Sequence, residues 1–304
     1  DGQDVTANDF EYAWKRLVNP ETAADYSYML DCVVNAQDII DGNKPADELA
    51  VKAVDDKTFE VTLVNDLPYF EELCAFPAMM PVRQDMIEKG GDQWTFNVDT
   101  YISNGAYKMK EWTHNSQIVV EKNENYYDFE NLGPETITFK LMDNQNAMLS
   151  GFKSGELDFI QDAPQAEITS LIASGDMKIV DYIGTYYVCF QTEKEPFNDP
   201  KVRKAFSLAI DRTYIVNQVT QSGQVEAGGF VPAGIYDAEG TDGDDFRTVG
   251  GDYYKPTDAD YEANCEEARK LLAEAGYENG EGFPVVEYLY NTSDAHKAVA
   301  EALQ

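Results

Sequence analysis

The chain has 304 residues, of which 43% are hydrophobic and 12% aromatic, enough for about two domains with buried cores. Its 56 acidic residues outnumber 23 basic ones, giving a net charge of −33 that argues against nucleic acid or anionic lipid as a partner. No run of about 18 apolar residues occurs, so the sequence predicts no membrane-spanning helix.

The first part of the chain predicts helices and two β-hairpins. Thr6 to Asp9 has the spacing of a capping box and begins a predicted helix that stops before Pro20. The turn sequences at 55–57 and 114–116 each lie between two short alternating runs, which is typical of a hairpin. Further helices in this part are predicted at 68–76 and 84–89.

The second part alternates predicted strands with helices of about ten residues, a pattern that favours an α/β lobe. Asp199 is a predicted N-cap, and Pro200 stands at the first helical position, where its missing N–H costs nothing. The predicted strands are 136–142, 157–160, 177–182, 185–190 and 285–290. The predicted helices are 145–153, 165–173, 200–209, 213–219, 258–275 and 296–303.

Catalytic motifs are absent from the sequence. Only two histidines exist, His114 and His296, and both stand in polar contexts where no nucleophile motif accompanies them. The run from Ser150 to Lys153 matches the S-x-x-K motif of β-lactamases, but the S-D-N and K-T-G motifs that accompany it there are missing. A structural lysine is therefore favoured. We therefore predict no catalytic residue and no cofactor.

Cysteines and acidic residues give no clear metal site either. The four cysteines contain no C-x-x-C pair; an even number leaves three disulfide pairings open, and free, mostly buried thiols are favoured. The acidic loop at 237–245 departs from the calcium-loop template, because Asp242 stands where glycine is required. A solvated acidic loop is favoured over a weak calcium site, and no metal ligand is predicted.

Three longer stretches carry a resemblance. They are the tyrosine run at 185–190 with the P-F-N-D-P and V-R-K-A-F-x-x-A-I-D-R sequences that follow, the first 20 residues, and the N-G-x-Y…W…N-x-x-Y-Y pattern at 103–127. Together they resemble the family 5 solute-binding proteins of ABC importers, closest to the oligopeptide-binding receptors. The similarity spans essentially the whole chain. Because that family's proteins are considerably longer, the resemblance implies a central portion that lacks both flanks.

The resemblance implies an α/β fold of the periplasmic-binding-protein type II, with mixed sheets, flanking helices and lobes that close around a cleft. It implies residues 1–83 as part of the small second lobe, 84–183 as the α/β part of the first lobe, and 184–304 as the start of the third, C-terminal lobe. Gly184, where the strand at 185–190 begins, is an expected hinge between lobes.

The implied function is that of a non-enzymatic extracytoplasmic receptor, in the periplasm or anchored as a lipoprotein at the bacterial cell surface. It would capture oligopeptides through main-chain β-type hydrogen bonds and deliver them to an ABC permease, as a monomer and without nucleic acid as a partner. A receptor of the same fold for dipeptides, nickel chelates, haem or oligosaccharides stays open. A hydrolase that uses carboxylates is less favoured.

The resemblance also implies ligand-binding residues, although the residues alone favour core packing for each tyrosine. Tyr187, Cys189 and Gln191 share one face of the predicted strand because side chains alternate along an extended chain. The full set of predicted ligand contacts is Tyr26, Phe76, Tyr187, Cys189 and Gln191.

Overall fold

The computed structural model describes residues 1–236 and 239–304, so the first two residues of the acidic loop at 237–245 lie outside the described residues. The chain divides into two compact units, Asp1–Asp143 and Asn144–Gln304. These units do not coincide with the three predicted lobes at 1–83, 84–183 and 184–304, whose boundaries stay predictions. No helix in the described ranges combines the length and the apolar character needed to cross a bilayer.

The first unit builds its core on a capped helix. The Asp9 carboxylate accepts hydrogen bonds from the Thr6 N–H at 2.7 Å and from the Thr6 hydroxyl at 3.1 Å, which confirms the predicted helix start. Trp14 on this helix is 3% exposed, and its Nε1 donates to the Met79 carbonyl at 2.9 Å. The helices of this unit are α1 (Ala7–Val18), α2 (Ala36–Ile40), α3 (Phe70–Cys74) and α4 (Gln84–Gly90).

Both predicted hairpins form in the first unit, because each pair of strands is joined by a short turn. The first pairs Val51 with Val61, and the second has Asn115 at φ 60° in its turn. A third antiparallel strand extends the second hairpin into a sheet of order β3-β4-β5. The strands are β1 (Val51–Asp55), β2 (Thr58–Val61), β3 (Tyr107–Thr113), β4 (Gln117–Lys122) and β5 (Thr136–Lys140).

The second unit is built on helices. The Asp199 carboxylate accepts from the Lys201 N–H at 2.7 Å, so the predicted N-cap ahead of Pro200 is confirmed. The helices are α5 (Gln145–Ser154), α6 (Gln165–Ser174), α7 (Pro200–Ala209), α8 (Arg212–Tyr214), α9 (Phe246–Gly250), α10 (Asp258–Glu274) and α11 (Asp294–Leu303). The packing of α7 against α10 buries Ala205, Leu208, Ala268 and Leu271.

The helical run predicted at 213–219 forms, divided between α8 and a π-helical segment, Ile215–Thr220. Four strand predictions for this unit are wrong. The strands predicted at 157–160, 177–182, 185–190 and 285–290 do not form, since the residues described there have no hydrogen-bonded neighbour strand. A β-strand is defined by its hydrogen bonds to a neighbouring strand. Residues with a high strand propensity do not form one unless such a neighbour is present. The mixed α/β class is nevertheless confirmed. In the part of the chain that the structure describes, strands β1 to β5 all lie in the first unit.

Candidate functional site

The centre of the candidate site is an extended run at 185–191, which we call the tyrosine segment. Two of its even-numbered side chains make ring contacts within the second unit, although Tyr186 is 57% exposed. The Tyr186 ring stacks on His296 with centroids 5.5 Å apart, and the Tyr186 hydroxyl lies 2.7 Å from His296 Nδ1. Phe190 contacts Phe197 at a ring separation of 4.9 Å. One side of the tyrosine segment is therefore anchored to the body of the second unit.

The odd-numbered side chains of the tyrosine segment contact Phe230 at its start and are exposed from Tyr187 onward. Thr185 Oγ1 donates to the Phe230 carbonyl at 2.7 Å, and the Tyr187 ring meets Phe230 edge-on at 4.9 Å. Tyr187 remains 57% exposed, and both Cys189 and Gln191 are exposed. The segment is not a paired strand, and Tyr186 and Tyr187 are equally exposed. That Tyr187, Cys189 and Gln191 share one face stays a prediction from the alternation of side chains along an extended chain.

The main chain of residues 185–190 within the tyrosine segment is unpaired, whereas the Gln191 carbonyl accepts from the Lys194 N–H at 3.2 Å. Among the described residues, no backbone hydrogen bond joins the N–H or C=O groups of residues 185–190 to another backbone group. Backbone groups of this kind are strong donors and acceptors that otherwise bind water. A second extended chain could bind to them as an added strand.

Phe230 is held in place by a loop with charged anchors. The Asp245 carboxylate accepts from the backbone N–H groups of Gly234 and Arg247, each at 2.7 Å, and the bond from Gly234 is the main reason that the pKa of Asp245 is lowered. Arg247 Nη1 donates to the Val231 carbonyl at 2.9 Å. This network fixes the segment on which Tyr187 rests.

The two predicted contacts in the first unit lie together. The Tyr26 ring meets Phe76 edge-on with centroids 5.0 Å apart, and Tyr28 lies 6.1 Å from Tyr26. Phe76 is half-buried against the core of the first unit, whereas Tyr26 and Tyr28 are 49% and 56% exposed. Phe76 is therefore held by the core, and Tyr26 is accessible. An accessible ring packed on a fixed one is suited to contact with an apolar or aromatic group.

Sequence reasoning missed three residues that support the tyrosine segment: Phe230, Tyr288 and His296. Phe230 lies in a region rich in glycine and aspartate without helical or strand periodicity. Burial, and then a hydrogen bond with Tyr288, raises the pKa of Tyr186 to about 12. His296 was placed on a predicted helix and weighed only as a possible catalytic base. No pattern in the sequence relates these positions to residues 185–191, because the contacts are distant along the chain.

Both histidines contact aromatic rings. His114 packs on Trp112 at a ring separation of 4.6 Å, while His296 bonds to Tyr186. All four cysteines are free, and burial raises the pKa of the thiols of Cys32 and Cys74. Over residues 1–236 and 239–304, no group of histidine, cysteine and carboxylate side chains is placed to hold a metal ion.

Comparison with known proteins confirms the resemblance found in the sequence. The model of bacterial extracellular solute-binding proteins, family 5, matches residues 1–304. The chain is 38% identical to the periplasmic oligopeptide-binding protein OppA of Salmonella typhimurium, over 100% of this chain and 54% of that protein. It is 35% identical to the oligopeptide-binding protein OppA of Bacillus subtilis, with the same coverage.

A solved structure shows the same fold. Haemophilus influenzae OppA, in complex with the peptide RPPGFSPFR, matches with a TM-score of 0.84 and 34% identity, over 99% of this chain and 57% of that one. The fold class expected from the sequence is confirmed by this match. The chain spans about half the length of the curated relatives it matches.

Proposed function

Since the chain belongs to the family 5 bacterial extracellular solute-binding proteins, we propose that it forms part of a receptor that captures oligopeptides for an ABC importer. Its relatives in Salmonella typhimurium and Bacillus subtilis are named as oligopeptide-binding proteins. The proposed receptor is non-enzymatic and monomeric, needs no cofactor and does not bind nucleic acid. It works outside the cytoplasm, in the periplasm or anchored at the cell surface, and transfers its ligand to a membrane permease.

The observation that carries this proposal is the open face of the tyrosine segment. An extended main chain with unpaired N–H and C=O groups is a template for β-augmentation, in which a peptide adds itself as a strand. Hydrogen bonds of this kind use groups that every peptide has, so one site accepts many sequences. Tyr187, Cys189 and Gln191 alternate along the open face and would contact alternate side chains of the ligand.

We further propose Tyr26 and Phe76 as ligand contacts of the first unit. Their edge-on pair leaves Tyr26 49% exposed, and a tyrosine hydroxyl can donate or accept a hydrogen bond. Such a ring contributes apolar contact to a ligand side chain at a low cost in conformational entropy. A Tyr26→Ala variant should weaken binding of peptides with aromatic side chains more than binding of peptides of alanine.

A thermal-shift screen of the full-length protein tests the proposed function. The probes are pooled five-residue peptides, pooled oligosaccharides, nickel bound to histidine, and haem. We expect the peptide pool to raise the melting temperature, because a ligand that binds only the folded state stabilises it. Stabilisation by oligosaccharides, nickel or haem without stabilisation by peptides would overturn the proposal, and so would turnover of the peptides.

A second experiment tests whether recognition is by the main chain. The pentapeptide that stabilises most is resynthesised with single N-methyl groups, which remove one backbone N–H at a time and leave every side chain unchanged. Because alternate peptide groups face the neighbouring strand, methylation at one set of alternate positions should weaken binding by about tenfold or more. Methylation at the other set should have a smaller effect. Equal tolerance at all positions would contradict strand-like binding.

A further inference from the structure

Arg247 on α9 holds the loop that carries Phe230. Its Nη1 donates to the Val231 carbonyl at 2.9 Å, and its Nη2 donates to the Gly251 carbonyl. A guanidinium carries its donors in a rigid planar fork, so bonds to two different carbonyls fix its position. One of these carbonyls belongs to the residue that directly follows Phe230. Arg247 therefore ties the chain beside Phe230 to the end of α9.

The chain on the other side of Phe230 is shaped to admit the same guanidinium. A Cβ atom at Gly229 would lie 2.8 Å from Cζ of Arg247, closer than two unbonded carbon atoms approach. A Cβ atom at Gly228 would lie 2.7 Å from Cβ of Asp252, whose carboxylate is 3.8 Å from Arg247 Nε. The two glycines permit this close approach of side chains to the backbone. Arg247 thus contacts the chain both before and after Phe230.

Phe230 connects this loop to the tyrosine segment. Its carbonyl accepts from Thr185 Oγ1 at 2.7 Å, and its ring meets the Tyr187 ring edge-on at 4.9 Å. Phe230 is 62% exposed, so no tight packing of its own ring holds it in place. Because residues 185–190 lack backbone pairing within the described chain, side-chain contacts of this kind set the direction of Tyr187. A shift of Phe230 would therefore turn the Tyr187 ring.

We propose that Arg247 is a positioning residue for ligand binding, which seats Phe230 against Tyr187 and so sets the direction of the Tyr187 ring. This inference rests on the proposed function, since it takes Tyr187 as a ligand contact. Arg247 acts through Phe230 and does not contact the peptide.

Two variants of the full-length protein release Phe230 in different ways. Arg247→Met keeps much of the length of the side chain and removes all of its donors. Gly229→Ala retains Arg247 but displaces its guanidinium, because the backbone at Gly229 lies outside the left-handed region and the flexible side chain is the part that moves. Arg247→Lys is the conservative variant, since an ammonium can donate to the Val231 carbonyl but lacks the fork that also reaches Gly251.

Arg83→Met is the matched control, because it removes an arginine of similar burial from the first unit. The side chain of Arg83 is 19% exposed and that of Arg247 is 21% exposed. Arg83 forms its ion pairs with Asp1 and Asp85. A general effect of losing a largely buried arginine would appear in both variants, whereas a displaced Phe230 would appear only in Arg247→Met.

The dissociation constant of the pentapeptide selected above is the first readout. We expect Arg247→Met to raise it by about tenfold, because hydrogen bonds from a charged group are lost and Phe230 is released. Gly229→Ala should raise it by about fivefold, and Arg247→Lys should stay within about threefold of the wild type. Adding Gly229→Ala to Arg247→Met should cost little more, because both changes remove one contact. Arg83→Met should leave it unchanged.

A ligand-free readout separates failure of this inference from failure of the proposed function. Fluorine NMR of 3-fluorotyrosine placed only at position 187 reports whether the Phe230 ring lies against that ring. Phe230→Leu removes the neighbouring ring and gives the reference shift. The signals of Arg247→Met and Gly229→Ala should move towards this reference, and that of Arg83→Met should stay at the wild-type position. If the wild-type protein binds none of the peptides, the proposed function fails, and the fluorine signal still decides whether Arg247 positions Phe230.

Two outcomes would overturn the inference. The first is that Arg247→Met and Gly229→Ala leave the fluorine signal at the wild-type position, which would mean that Phe230 is held without the guanidinium. The second is that Arg247→Met and Arg83→Met weaken peptide binding equally, which would mean that the loss reflects general stability. If Arg247→Met does not fold, Gly229→Ala decides the question, since it retains the arginine.

Discussion

The two units use extended chain in different ways. In the first unit, β1 and β2 are joined through residues 56–57 and β3 and β4 through 114–116, so each strand finds its partner nearby. In the second unit, the extended runs at 177–182 and 185–190 are consecutive and have no turn that would fold one onto the other. Four of the five named strands therefore pair through a local turn, whereas β5 joins β4 across residues 123–135. The run at 185–190 has neither kind of partner, its main chain stays unpaired, and we propose that the ligand binds there.

The largest effect is expected from Trp14→Ala, which tests whether the hairpin β1–β2 depends on the core beneath it. Trp14 packs edge-on against Phe59 of β2 at 5.2 Å and donates to the Met79 carbonyl. The cavity should lower the free energy of unfolding by roughly 3–5 kcal/mol. Urea unfolding followed by circular dichroism measures it. Tyr127→Ala, at a side chain that is 90% exposed, is the control and should change it by less than about 0.5 kcal/mol.

Leu208→Ala tests whether the stability of the second unit depends on the packing of its helices. Leu208 is 3% exposed in the cluster that joins α7 to α10. Its truncation should lower the free energy of unfolding by roughly 2–4 kcal/mol. The exposed Lys204 on the same helix offers the control variant Lys204→Ala. Similar losses for both variants in urea unfolding would contradict a helix-based core in this unit.

A smaller effect is expected from Asp199→Ala at the start of α7. The carboxylate satisfies the Lys201 N–H, which would otherwise lack a partner within the helix. Its loss should cost about 1 kcal/mol, and Asp199→Ser should recover most of it. The measurement is the urea midpoint of the transition. Equal stability of the alanine and serine variants would show that capping is unimportant there.

The smallest effect concerns Glu11, which links α1 to β1. Burial alone would raise the pKa of Glu11, but hydrogen bonds from the Ala53 N–H and from Lys15 lower it. Because the pKa of Glu11 is lower in the folded protein, the charged carboxylate stabilises the fold at pH values above the pKa of the unfolded chain, about 4.3. This stabilisation is lost as the pH falls through the pKa of the folded protein. Glu11→Gln should therefore cost roughly 0.5 kcal/mol at neutral pH and almost nothing at about pH 3.

Urea unfolding of both proteins at the two pH values measures this difference. A cost that is the same in acid and at neutral pH would contradict the assignment to a charged Glu11. The ion pair with Lys15, at 2.7 Å, is the interaction that the substitution removes, whereas the amide oxygen can still accept from Ala53.

Much of the fold could be predicted from local sequence chemistry. Thr6 with Asp9 and Asp199 with Pro200 marked helix starts that the structure has, and the turn at 114–116 marked its hairpin. These features depend on residues within a few positions of one another. The run at 185–190 has the composition of a strand, but pairing depends on a distant partner, and the described residues contain none.

The candidate site was predictable only in part. The alternation that puts Tyr187 and Gln191 on one face follows from backbone geometry alone. The contacts of Tyr26 with Phe76, of Tyr187 with Phe230 and of Tyr186 with His296 join residues far apart in the sequence. No pattern in the sequence indicates that these residues contact one another, so the three contacts could be seen only in the structure.

Backbone amide exchange along the tyrosine segment, measured with and without bound peptide, shows whether this segment receives the ligand. We predict that a bound pentapeptide slows exchange of alternate amides at 185–191 by about tenfold or more, while amides at 178–183 and 285–290 are unchanged. Peptide that binds the protein and leaves exchange at 185–191 unaltered would contradict the claim that this segment receives the ligand as a strand.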